Sequence, residues 1–322
     1  MEYSITNMFA EKMTEDVYVK AFAEGVEMEQ REHVPLVSVV MASYNHEQYV
    51  EAAVRSVMEQ KGVDFELVVI DDGSTDHSPD ILEKLQGELG FRYVHRPNQG
   101  LVATMNELLS MARGKYYCSF ASDDIMPPDR LKKQSDFLAR HVNNVACFGQ
   151  VKEMDENGHV AKDVIPLYMK NVPQVSFEQV IVSDRALHGC SEMLVTDVVR
   201  DLGGYDKRFY FEDMPLYLAI LYKYGPQPAS ADFVCCYYRV HGENMHGDHG
   251  RMYREILRLL ELYKGHKLYR TACRRWKARW FSTLAYKDRG EAFRKLPELA
   301  SLSPAFLLRL PKLFIPKRFL KC

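Results

Sequence analysis

The pattern of apolar and polar positions along this chain changes period near residue 35. Over residues 1–33, Phe9, Met13, Val17 and Ala21 recur at four-residue steps, which predicts an amphipathic helical extension. From Pro35 onward, short apolar runs alternate with helical stripes. "LVSVVMA" (36–42) predicts a strand. In "EQYVEAAVRSVMEQ" (47–60), Tyr49/Val50, Ala53/Val54 and Val57/Met58 line one side of a helix. Leu67, Val68, Val69 and Ile70 form a continuous apolar run bounded by turn residues, the mark of a strand covered on both faces. A helix near 79–87, a short strand at 92–95, a helix at 99–112 and a strand at 115–120 follow. This alternation predicts a Rossmann-like α/β fold, a mainly parallel sheet sandwiched by helices.

Beyond residue 145 the pattern predicts strand, turn and strand, with the turn at Asp155–Gly158. A helix ends on Gly203-Gly204, another covers 212–225, and a last strand covers 231–240. From residue 250 the chain reads as helical and basic, interrupted by Pro297, Pro304, Pro311 and Pro316. Three regions result: an extension at 1–33, an α/β body at 34–241, and a lid with a basic helical region at 242–322.

Charge sharpens this division. The net charge of −2 conceals 19 Lys+Arg against 5 Asp+Glu from Arg251 to Cys322, over a body that is correspondingly acidic. Such a tail suits an anionic surface. It matches no recognised nucleic-acid module, which argues against nucleic acid as the partner. In residues 303–322, Phe306, Leu307, Leu310, Leu313, Phe314, Ile315 and Phe319 interleave with Arg309, Lys312, Lys317, Arg318 and Lys321. That mixture predicts contact with an anionic membrane surface, the alternative being packing on the body or on a second subunit of a homo-oligomer. No run approaches the roughly 20 apolar residues that span a bilayer. The first residues lack the basic flank and apolar run of a signal peptide. Seven cysteines without a C-x-x-C pair fit a reducing cytoplasm.

The candidate chemistry lies in three acid pairs at element ends: Asp71-Asp72, Asp123-Asp124 and Glu212-Asp213. Acids at the C-terminal edge of a parallel sheet sit where open α/β folds bind ligands, and their mutual repulsion has to be offset. Either of Asp71 and Asp72 can accept from a nucleobase imide or hold a ribose hydroxyl. Carboxylates such as Asp123 and Asp124 are ligands that Mg²⁺ or Mn²⁺ favours. Tyr44 can stack on a base. Each has a structural alternative: turn or helix capping for the acids, core packing for Tyr44. Arg130 can counter a phosphate or pair with Asp129.

Four stretches, "SVVMASYNHEQYVEAAVRSV", "ELVVIDDGSTDHS", "FASDDIMPPDRL" and "GGYDKRFYFEDMPLYLA", together resemble the family 2 glycosyltransferases, inverting enzymes of the type A nucleotide-sugar fold. The resemblance spans Pro35 to His241. It implies a nucleotide-sugar donor, UDP- or dTDP-linked, a glycan or lipid-linked acceptor, and Mn²⁺ or Mg²⁺ as cofactor. It implies donor contacts from Ala42 and Tyr44, from Asp71 or Asp72, and from Asn98 and Gly100 of "NQG". Asp124 becomes the metal ligand, with Asp123 supporting it or holding the ribose. Asp213 becomes the general base, with Glu212 orienting it. Arg239 and His241 of "YRVH" reach the metal–diphosphate from a lid. The chain departs from the family at Met105 and Ala219, where an Arg is frequent. A zinc site from His241, His246 and His249 lacks a closed ligand spacing. Two other readings remain, a sugar nucleotidylyltransferase and a catalytically silent scaffold. The first lacks its Gly-rich basic loop, and the second is expected to have lost an acid pair.

Overall fold

Val37, Val39, Val40 and Met41 are all fully buried, because β1 (Val37–Ser43) runs through the middle of the sheet. It pairs in parallel with β2 (Phe65–Asp71) on one side and β4 (Tyr116–Ser119) on the other, and β3 (Arg92–His95) extends the parallel block beyond β2. Alternate β1 residues serve two core layers. Val37, Val39 and Met41 pack with α1 (Val50–Met58) and α2 (Ser78–Leu89), while Val40 packs with α3 (Leu101–Met111). Helices on both faces keep the centres of β1 and β2 apolar and buried, which is why those runs were readable.

The computed structural model describes residues 33–164, 174–182, 187–242, 249–301 and 303–315. The helix expected within residues 1–33 and the side chains of His246 and His249 therefore lie outside the described residues.

After β4 the sheet becomes mixed. α4 (Arg130–Arg140) leads to β5 (Ala146–Met154), β6 (Val160–Val164) and β7 (Gln174–Val175). α5 (Phe177–Ile181), β8 (Glu192–Val195), α6 (Thr196–Asp201), α7 (Asp213–Tyr224) and β9 (Gln227–Arg239) follow. The strand order is β3-β2-β1-β4-β8-β5-β9-β7, with β6 beside β5. β8 runs antiparallel to both β4 and β5, and β9 runs parallel to β5. The expected Rossmann-like layering holds: β1–β4 and β5 with β9 pair in parallel, while β6, β7 and β8 add antiparallel pairs. β8 escapes a reading of apolar runs because it is four residues long and begins on a buried glutamate.

Two turns form as their residues require. The Gly158 N–H donates to the Asp155 carbonyl. Gly203 and Gly204 take φ of +87° and +76° after α6, a conformation that costs a glycine little.

Pro35–Cys322 form one compact unit. The basic helices α8 (His249–Glu261), α9 (Tyr269–Lys287), α10 (Arg289–Leu299) and α11 (Pro304–Leu307) belong to it. Leu259 and Leu260 of α8 and Ala272 of α9 join the core that holds Val40 and Tyr217. Pro297 does not end its helix at once; it lies two residues before the end of α10, where its missing N–H removes one i→i−4 hydrogen bond. Of the 303–322 stretch, Phe306 and Leu313 are buried beside Trp280 and Phe281, whereas Leu308 is 80% and Phe314 73% exposed. Residues 316–322 lie outside the described residues. No described helix is long and apolar enough to cross a membrane.

Candidate active site

The C-terminal ends of β1, β2 and β4, the start of α7 and the turn before β8 enclose a cleft of about 470 Å³. Its lining includes Ala42, Tyr44, Asp72, Asn98, Gly100, Asp123, Asp124, Glu212 and Asp213. Nine of the twelve residues singled out from sequence thus line this cleft, Arg239 and His241 contact its acids, and the acid pairs divide their labour.

Asp71 and Asp72 face different ways, as successive residues at a strand end do. Asp71 is fully buried and accepts from the Ser74 N–H at 2.9 Å and the Ser74 hydroxyl at 2.6 Å; His95 Nδ1 lies 3.1 Å away. It is consumed by the turn. Asp72 accepts from Arg96 and from the N–H groups of Gln99 and Gly100, both at 2.9 Å, and so ties the "NQG" loop to the cleft wall. The repulsion between these two acids is therefore offset by the protein's own partners. Gly73 is obligatory directly after them: φ is +77°, and a Cβ would stand 2.6 Å from the Asn98 backbone nitrogen.

"STDHS" serves the loop after β1. The Asn45 N–H donates to Ser74, the Thr75 N–H donates to Asn45, and the His46 N–H donates to Ser78. The Glu47 N–H donates to Asp76, and the His77 N–H donates back to Glu47. This lacing presents Tyr44 to solvent at 48% exposure, which excludes core packing, and turns His46 inward.

His46 was not a sequence candidate. Its Nδ1 lies 2.7 Å from the Ser122 hydroxyl and its Nε2 4.0 Å from Asp123 Oδ2. His241 Nε2 approaches the same Asp123 oxygen at 3.0 Å. The ligand atoms of His46, Asp123 and His241 lie within 4.8 Å of one another. Two imidazoles and a carboxylate form a donor set that fits a divalent first-row ion.

Asp124 lies in a different environment. It is fully buried and accepts from the Arg239 N–H at 2.8 Å, with Cys236 Sγ 3.3 Å away. Burial, then the charges of Cys190 and Asp123, hold its carboxyl well above the usual range. Arg239 reaches backward as well: its guanidinium donates to the carbonyls of Asp123, Asp155 and Glu156 and sits over the Tyr49 ring. Arg130 does neither of the things expected of it. It is buried, donating to Gln134 and to the Glu192 carbonyl.

The third pair starts α7. Burial, then the neighbouring Asp213 charge, push the Glu212 carboxyl up to about 8. A further acid, Glu192, accepts from the Ser119 hydroxyl at 2.6 Å and from the Tyr217 hydroxyl. Burial raises it to about 7. An acid raised in this way keeps its proton in the fold where the unfolded chain has lost it. Its contribution to stability is complete below pH 4.5 and lost as pH rises towards about 7. Glu192→Gln, which can keep both hydrogen bonds, is expected to remove this decline, worth up to about 3 kcal/mol. Urea unfolding at pH 5 and pH 8 checks it: the variant should gain on the native protein at pH 8. An unchanged pH dependence would contradict the assignment.

The fold matches that of type A glycosyltransferases. Staphylococcus aureus TarS 1–349, solved with UDP-GlcNAc, superposes with a TM-score of 0.59 at 20% identity, over 88% of this chain and 82% of that one. The mannosyltransferase PcManGT of Pyrobaculum calidifontis, solved with GDP-Man and Mn²⁺, gives 0.57 at 18%, over 86% and 79%. In sequence, the model of glycosyl transferase family 2 matches residues 38–190, and that segment belongs to the family. TuaG of Bacillus subtilis (strain 168), a glycosyltransferase named for teichuronic acid biosynthesis, is 38% identical over 107 residues, 32% of this chain and 42% of TuaG. The chain spans less than half the length of the curated relatives it matches.

Proposed function

We propose that the protein is a metal-dependent inverting glycosyltransferase. It moves a sugar from a UDP- or dTDP-linked donor to a hydroxyl of a glycan or lipid-linked acceptor in bacterial surface polysaccharide synthesis. The observation that carries this reading is one cleft holding a divalent-cation donor set on one wall and a carboxylate pair at a helix start on another. The names of TuaG and TarS's UDP-GlcNAc complex support the donor class and the pathway type.

In this mechanism Tyr44 stacks on the base, and Asp72, with the Asn98–Gly100 loop it anchors, bounds the nucleoside. His46, Asp123 and His241 would hold Mn²⁺ or Mg²⁺. When bound, the ion neutralises charge that develops on the diphosphate leaving group. Asp213 removes the acceptor hydroxyl proton as the oxygen attacks from the opposite side. Glu212 keeps its own proton at neutral pH and orients the acceptor beside it. Leu308, Phe314 and Ile315, fringed by Arg289, Arg309 and Lys312, dock the enzyme on the cytoplasmic face of the membrane.

One experiment tests both halves. A panel of UDP-, dTDP- and GDP-sugars is offered with a lipid-linked acceptor in anionic vesicles, and product mass and vesicle sedimentation are read together. A single-sugar product from a UDP or dTDP donor is expected, with vesicle binding that weakens in high salt and in Leu308→Asp/Phe314→Asp. No product from any donor would refute the transferase reading. Equal sedimentation of the variant would remove the membrane contact alone.

A further inference from the structure

Behind the His46–Asp123–His241 set lies a second cluster of different chemistry. Asp124, Cys190 and Cys236 bring a carboxylate oxygen and two sulfurs within 4.8 Å of one another. They come from three separate segments: the β4–α4 loop, the turn before β8, and β9. In a tetrahedral zinc site such atoms stand about 3.5–3.8 Å apart, and Cys236 Sγ and Asp124 Oδ2 are already 3.3 Å apart. All three residues are buried, and Cys190 opens onto the cleft, which gives an ion a path in.

Arg130 supplies an independent observation. Its guanidinium is fully buried with Nη1 unpartnered, and Cys118, Cys235, Cys236 and Cys190 are among its electrostatic neighbours. A coordinating thiol is deprotonated. Three anionic ligands and one divalent ion leave a net negative charge, which the buried guanidinium of Arg130 opposes. Two sulfurs also set the preference among metals: thiolates select zinc-like ions over Mn²⁺ or Mg²⁺.

We infer that Asp124, Cys190 and Cys236 form a second cation site, selective for a thiophilic divalent ion such as Zn²⁺ or Cd²⁺. An ion held there ties β9 to the β4–α4 loop. It is separate from the cleft-facing set, and it stands whether or not the proposed transferase activity does.

The test titrates metal-free full-length protein, kept reduced, with Cd²⁺ alone, and follows thiolate-to-cadmium absorption and thermal unfolding. One equivalent is expected to bind, raising the unfolding temperature, with affinity on the order of 100-fold or more above that for Mn²⁺. His241→Ala should retain the absorption. Cys190→Ser and Cys236→Ser should each lose it while keeping the unfolding temperature of the metal-free protein. If Cys236→Ser fails to fold, Cys190→Ser, at the cleft wall, decides alone. Absence of the band in the native protein would overturn the inference. So would its persistence in the cysteine variants through Cys273 or Cys322, or its loss in His241→Ala alone.

Discussion

Asp213→Asn is expected to lower turnover about 10²–10⁴-fold, the usual contribution of a general base, while donor binding survives. Asparagine keeps the shape at the first position of α7 but cannot take a proton. Glu212→Gln is expected to cost far less, because that carboxyl sits at about 8 and is already protonated at neutral pH. The two substitutions also interact. Removing the charge of Asp213 takes away one cause of the elevation at Glu212, so the residual activity of Asp213→Asn should depend on lower pH than that of the native enzyme. Single-turnover rates with donor in excess check both. Full turnover in Asp213→Asn beside a dead Glu212→Gln would reverse the assignment.

The second large effect concerns the cation. Chelation is expected to abolish transfer, and added Mn²⁺ or Mg²⁺ to restore it. Asp123→Ala should lower turnover about 10³-fold, equivalent to about 4 kcal/mol of lost charge stabilisation. It should also weaken binding of the nucleoside diphosphate, since both histidines are left without the carboxylate between them. Asp124→Ala discriminates between the carboxylates. With its oxygens turned to Cys236 and the Arg239 N–H, Asp124 is expected to affect stability before metal affinity. Calorimetric Mn²⁺ titration of the two variants measures this. Unaltered Mn²⁺ affinity in Asp123→Ala with complete loss in Asp124→Ala would return the metal to Asp124.

Several features of this site were open to a reading of sequence, for identifiable reasons. The strands β1 and β2 are buried on both faces, so their composition alone announces them. The acid pairs stand at their ends, and position within the fold follows. What remained hidden depends on distant partners. His46 gains its meaning from Ser122 and Asp123, more than seventy residues away, and nothing in "SYNHEQ" distinguishes it from a solvated histidine. Arg96, half-buried against Asp72, looks like any charge in a loop. Glu192 and Arg130 oppose the ordinary expectation that charged side chains face water, so their burial could only be seen in three dimensions. The sequence also left Asp71 and Asp72 equivalent; the alternation of a strand end assigns one to the turn and the other to the cleft.

The change of pairing between β4 and β8 has an evolutionary consequence. Tyr44, Asp72 and Asp123 hang on a parallel block closed by β4, whose registers are set among β1–β4 alone. Glu212 and Asp213 follow a strand that joins this block by only two paired positions, Tyr116 with Val195 and Tyr117 with Leu194. Insertions, deletions or recombination downstream of that seam leave the first block's register intact. A lineage can thus diversify one wall of the cleft while inheriting the other unchanged, with the short β4–β8 seam as the natural point of exchange.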